Sequence, residues 1–143
     1  VSFLPDVVDG LARLLDEQDV GTYRADGLYA EGETAITDTV MPDGPDRAIV
    51  LTAYPVQESA TLTDTVLAVQ VRTRAGPDPR EAAALDDAVF AVLQSLGPRT
   101  FGSARVSLIY RFSAASLGTD ANGRHERTSN YRVRAHRPHP RLE

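Results

Sequence analysis

SAASLGTDANGRHERTSNYRVRAHR, residues 113–137, decides how this chain folds. Its centre, Asn122-Gly123, is the strongest short hairpin signal in the sequence. A tight turn between antiparallel strands needs positive φ at its central residues, and Asn and Gly tolerate it best. Upstream lies ARVSLIYRF, residues 104–112, and downstream RTSNYRVRAH, residues 127–136, both rich in β-branched and aromatic side chains. The pattern predicts a β-hairpin whose polar tip runs from residue 116 to residue 126. A tip of about eleven residues exceeds the usual two to five, and connections of that excess length tend to be functional or disordered. It carries Asp120, Asn122, Arg124, His125, Glu126 and Arg127 but no nucleophile, so the expected role is an assembly contact rather than catalysis.

Before the hairpin, residues 78–97 hold the clearest helix. Asp78 is a good N-cap, Pro79 suits the first helical position, where its missing N–H costs nothing, and Glu81 completes an acidic capping box. Leu85, Val89, Val92, Leu93 and Leu96 form the buried stripe, and Gly97-Pro98 is expected to stop the helix. Asp86 and Asp87 read as its solvated face, since adjacent helical positions diverge by about 100° and cannot share one metal. Residues 66–74 alternate as a strand: Leu67, Val69, Val71 and Thr73 face one way, and Val66, Ala68, Gln70, Arg72 and Arg74 the other. Arg72 and Arg74 are placed on the open side or at the edge, free to meet a neighbouring subunit or water.

Nearer the amino terminus, residues 5–18 put Val7, Val8, Leu11, Leu14 and Leu15 on one face of a helix that Gly10 weakens slightly. Residues 20–23, 28–30 and 34–40 read as short strands, with turns at Asp26-Gly27 and at PDGP, residues 42–45. AIVLTAY, residues 48–54, is a core strand whose pairing Pro55 should end. The order is helix, several strands, helix, two strands, with no nucleotide-binding glycine loop. That is an α+β fold: a mostly antiparallel sheet packed against two helices, with a long-tipped C-terminal β-hairpin. Residues 1–137 are expected to form a single domain and residues 138–143 a flexible tail, in which Leu142-Glu143 is open to being a cloning remnant.

The 143 residues suit one core. Cysteine is absent, which excludes disulfides and thiolate chemistry. No apolar run approaches the roughly 20 residues of a membrane span, and VSFLPDVVDG lacks the features of a secretion signal. The expectation is a soluble chain not exported by that route. Every basic residue is Arg, a usage expected from a GC-rich genome. Residues 1–64 carry a formal −10 and residues 65–143 a formal +5, within a total of −5. Such polarity suits head-to-tail packing of identical subunits, docking on an unlike partner, or charges that mix on folding.

Chemical candidates are sparse. His136 and His139 form HxxH, but Pro138 and Pro140 prevent a helix from presenting both to a metal. His125 beside Glu126 could serve acid–base work in a small enzyme or ligand-binding module, yet no nucleophile accompanies it. DANGRHE, residues 120–126, mixes calcium-ligand residues without the spacing of an EF-hand. The series Arg124, Arg127, Arg132, Arg134, Arg137 and Arg141 could read phosphates, but an acidic chain without a reading helix favours contact with acidic protein surfaces. No catalytic, metal or cofactor site is expected, and the candidate interface is Asp120, Asn122, Arg124, Glu126 and Arg127 with Arg72 and Arg74.

The wording SLGTDANGRHERTSNYRV, residues 116–133, after a helix opening RAGPDPREAAALDDAVF, residues 74–90, resembles the tail terminator family of long-tailed bacteriophages. Members are often labelled minor capsid or minor tail proteins in phages of high-GC bacteria. The resemblance runs from residue 5 to about residue 138 and implies a non-enzymatic virion protein at the head–tail junction, assembled in the host cytoplasm. It implies a hexameric ring that binds the last ring of tail-tube protein, ends polymerisation and offers its other face to the head connector. Genomic DNA would cross its lumen without sequence recognition. Another head–tail joining protein is the alternative within the same class.

Overall fold

The computed structural model describes residues 2–142. Helix α1 spans Phe3–Glu17, followed by strands β1 (Thr22–Tyr23), β2 (Thr34–Asp38), β3 (Arg47–Gln57) and β4 (Asp64–Arg74). Helix α2 (Pro79–Leu93) precedes β5 (Arg99–Phe101), β6 (Ala104–Thr119) and β7 (His125–His136). One seven-stranded sheet has the order β1-β2-β3-β4-β7-β6-β5. The class is the α+β arrangement expected, mostly antiparallel, with β1, β2 and β3 as a parallel exception. No helix among the described residues is long and apolar enough to cross a membrane, which says nothing of a β-barrel.

The apolar periodicities meet in one core. Val7, Leu11 and Leu15 of α1 and Leu85, Val89 and Leu93 of α2 pack with Ile49, Leu67, Val69, Val71, Ile109, Tyr131 and Val133 from one face of the sheet. From Ser129 to Ala135 strand β7 alternates, with Ser129, Tyr131, Val133 and Ala135 buried beneath the helices and Asn130, Arg132 and Arg134 on the opposite face. That is the period-two rule of a sheet covered on one side.

Several boundaries move for identifiable reasons. Residues 28–30 are not a strand: Arg24 grips Glu33 bidentately at 2.6 and 2.7 Å, and Glu33 also accepts from the Ala30 N–H at 2.6 Å. These bonds fold the segment into a closed loop and hold the Glu33 carboxyl at about 2. Pro55 does not end pairing, because β3 runs to Gln57 with a bulge between Pro55 and Gln57. Its neighbour β2 stops opposite Leu51, and an edge strand tolerates a proline. Helix α2 ends at Leu93, before Gly97. Ser95 takes the left-handed conformation at φ 61° and donates its N–H to Ile109 O at 2.9 Å, while the Ile109 N–H donates to Leu96 O at 3.1 Å. The backbone of β6 thus competes for the last expected turn.

The hairpin tip is shorter than expected. Thr119 pairs with His125, so residues 116–119 and 125–126 are strand and only 120–124 form the connection. Gly123 alone of the Asn-Gly pair has positive φ, at 75°. Within the expected tail, His139 and Leu142 exchange backbone bonds at 3.0 Å in a turn, and Glu143 lies outside the described residues.

Gly10 is a packing requirement rather than a weakness. A Cβ there would strike the Cβ and ring of Phe101, which lies across α1 beside the β5–β6 turn. Helix propensity by itself favours Gly10→Ala by about 1 kcal/mol. The overlap reverses the sign, and urea denaturation should show a loss of about 1–3 kcal/mol.

Candidate functional site

Two buried polar networks hold most of the residues singled out in the sequence. The first closes the hairpin tip. Asp120 Oδ1 accepts from the backbone N–H groups of Asn122 and Arg124, both at 2.9 Å, and its Oδ2 accepts from Arg124 Nε at 2.8 Å. These bonds, led by the Arg124 backbone N–H, hold the Asp120 carboxyl below the usual carboxylate range. Arg124 then reaches across the fold, donating to Asp43 O at 2.7 Å and pairing with Asp46 at 3.2 Å. Arg74 donates to Asp46 O at 2.8 Å and Pro45 O at 2.7 Å, and Arg72 bonds Glu126. Five accepting residues, Asp43, Pro45 and Asp46 of the acidic first half with Asp120 and Glu126 of the hairpin, therefore bind three arginines of the second half.

The expected exposure of Arg74 is thus corrected: it is buried, and desolvation lowers its pKa. The alternation that put Arg72 and Arg74 on the face away from the helices is right, but residues 43–46 fold over that end of the sheet. Arg124 and Glu126 are buried as well, whereas Asn122 is exposed. His125 and Glu126 are adjacent in β7 and point to opposite faces, so they form no acid–base pair.

The second network lies under α2 and was not anticipated. Asp86 is 2% exposed, not solvated. Its Oδ1 accepts from Ser129 Oγ at 2.7 Å, and its Oδ2 lies 3.6 Å from both Arg111 Nη1 and Arg127 Nε. Phe90, one turn on, stacks under the Arg111 guanidinium at 4.2 Å, and Gln94, another turn on, accepts from the Arg111 N–H at 2.8 Å. Asp86 and Phe90 share one face of α2 and Gln94 is its C-cap, so the helix and its cap together hold a single arginine of β6. Tyr131 lies in the same region with its Oη unpaired, and burial, then the Asp86 charge, raises its pKa. The sequence signal for Asp86 was its place beside the apolar stripe, four residues after Ala82 and three before Val89.

The remaining candidates stay apart. His136 Nδ1 is 2.7 Å from Thr63 Oγ1, while His139 Nδ1 accepts from the Arg141 N–H at 3.1 Å. Among the described residues, no group of three or more His, Asp and Glu side chains is placed to hold a metal. On the open sheet face, Arg132 stacks on Phe112 at 4.2 Å, and Tyr54, Leu108 and Phe112 are exposed. This arrangement leaves apolar and cationic side chains exposed together on one face of the sheet.

Residues 14–137 match the family described as bacteriophage tail terminator protein. Among solved structures, the fold is similar to a chain of the virion of a native gene transfer agent (GTA) particle. The TM-score is 0.60 at 16% identity, over 71% of this chain and 78% of that one. No curated protein matches the sequence.

Removing the Asp86 carboxylate leaves two arginines and Ser129 without their shared acceptor. Asp86→Ala should cost about 2–4 kcal/mol in urea denaturation, and Asp87→Ala, on the exposed side of the same helix, less than about 0.5 kcal/mol. A depressed carboxyl stabilises the fold above its ordinary pKa of about 4 and loses that contribution as pH falls through its folded value. Between pH 5 and 2, the thermal midpoint of Asp120→Asn should therefore fall less than that of the wild type.

Proposed function

The chain belongs to the bacteriophage tail terminator family, and on that premise we propose that it caps a tail tube as a hexameric ring at the head–tail junction. It is a structural protein of the phage tail, and its action is steric. One face of the ring binds the last ring of tube subunits and blocks further addition, while the other receives the head connector. Residues 1–137 build the ring, and residues 138–143 form an arm beside it. The observation that carries this reading is the family match over residues 14–137, most of the chain.

The architecture supports a mechanical role. The hairpin is fastened by β4 along β7, by α2 through Arg111 of β6, and by residues 43–46 at its tip. Such a platform can present Asn122 and the exposed part of β6 to partners without ordering cost on binding. Asp120, Arg124, Glu126, Arg72 and Arg74 contribute by fixing that platform, and Arg127 by meeting Asp86. Genomic DNA passes through the lumen without sequence recognition, which an overall charge of −5 favours by limiting adhesion to phosphate. Assembly takes place in the host cytoplasm and the product remains in the virion.

Tail assembly reactions containing tube protein, measuring protein and baseplate should yield overlong tubes when this chain is omitted and tubes of uniform length when it is added. Tubes of uniform length that fail only to join heads in its absence would assign it to head–tail joining instead. Electron micrographs of the tube ends make the distinction.

A further inference from the structure

The strand order sorts the two charge halves of the chain to opposite margins of the sheet. β1, β2 and β3 close one side and come from the acidic residues 1–64, whereas β6 and β5 close the other and come from the basic residues 65–143. Near residues 43–46, Arg124 pairs with the Asp46 carboxylate and Arg74 bonds the Pro45 and Asp46 carbonyls. Exposed charges on the outer strands are of opposite sign, Asp38 in β2 against Arg99 in β5 and Arg105 in β6, while residues 52–57 and 112–119 carry none.

Among the described residues, each margin also leaves part of a strand without a neighbour. β2 accompanies β3 only to Leu51, so residues 52–57 have a free outer edge. β5 and the Leu96 bridge accompany β6 only to Ile109, and beyond the Arg111 N–H held by Gln94 the outer edge of residues 112–119 is open. That edge contains no proline and no charge, the devices that ordinarily blunt a free strand.

The bulges on these edges carry apolar side chains. Val56 is the extra residue between Pro55 and Gln57, Phe112 between Arg111 and Ser113, and Leu117 between Ser116 and Gly118. They are 43%, 44% and 48% exposed. A bulge re-aims its side chain, and here it turns large apolar groups into solvent at the two free edges, with Tyr54 beside Val56. Strand direction is compatible with a join. β3, β4, β7 and β6 alternate, so β6 is antiparallel to β3. A second copy with its helices on the same side would bring its β3 antiparallel to the first copy's β6.

We propose that copies of this chain associate head to tail through these margins, the β6 edge with Phe112 and Leu117 seating against the β3 edge of the next copy with Tyr54 and Val56. Two unlike patches make a heterologous interface, the type that closes into rings. The inference rests on the terminator reading for its ring, and it locates the seam of that ring.

Two charge variants test the seam, Phe112→Asp/Leu117→Asp and Tyr54→Asp/Val56→Asp, all at exposed positions. Native mass spectrometry and images of protein on tube ends should show at least a tenfold loss of rings for each variant alone. An equal mixture should form dimers and nothing larger, because each copy retains one sound margin. Wild-type rings from either variant, or dimers of Tyr54→Asp/Val56→Asp alone, would overturn the proposal.

The wild-type chain has no cysteine, so Val56→Cys/Leu117→Cys provides a second reading that does not depend on charge. Oxidation at tube ends should link successive copies into a ladder ending at the ring. Rings that end tube growth normally but do not cross-link reject the seam and leave the terminator reading intact. Linked rings that fail to end tube growth reject that reading and leave the seam, and a chain that is monomeric both free and with tubes rejects both.

Discussion

Strand β7 must satisfy two edges and two unlike faces at once, and the rest of the molecule is arranged around that demand. β4 and β6 pair with it over nearly its whole length. Its helix-side residues Ser129, Tyr131, Val133 and Ala135 need cover, and α1 and α2 supply it. A one-residue slip would send Arg132 and Arg134 into the core and Tyr131 and Val133 into water. The apolar alternation therefore sets the register, and the two polar networks hold it at one end.

Those networks show how an arginine-rich, net acidic chain avoids unpaired charge inside. Asp86 is held by Ser129 and shared by two arginines, so the carboxylate that replaces an apolar residue beside the α2 stripe has partners from both hairpin strands. Arg124 and Arg74 end on carbonyls and carboxylates of residues 43–46, joining segments that are distant in sequence. A buried pair of this kind contributes less to net stability than to specifying one arrangement, because desolvation offsets much of its attraction.

The proposed capping role fits this division. The surfaces the fold itself does not use are the end of β6, the end of β3 and the open sheet face. Of the exposed large apolar residues, Tyr54, Val56, Leu108, Phe112 and Leu117 lie on those surfaces, whereas Leu28, Val40 and Leu62 lie in loops.

Local patterns determined both helices, the alternation of β4 and β7, the hairpin, the α+β class and the resemblance to tail terminators, because periodicity, capping residues and motif wording act over short separations. Tertiary structure decided what depends on neighbours far along the chain. Whether Asp86 faces water was settled by Ser129, Arg111 and Arg127, and the end of α2 by the backbone of β6 at Ile109. Arg74 was placed on the open side or edge and Arg124 in the candidate interface, but residues 43–46 fold over both, and no spacing near either arginine encodes that contact. The bulges at Val56, Phe112 and Leu117 likewise arise from pairing two strands of unequal residue count, a property of the pair that neither strand carries alone.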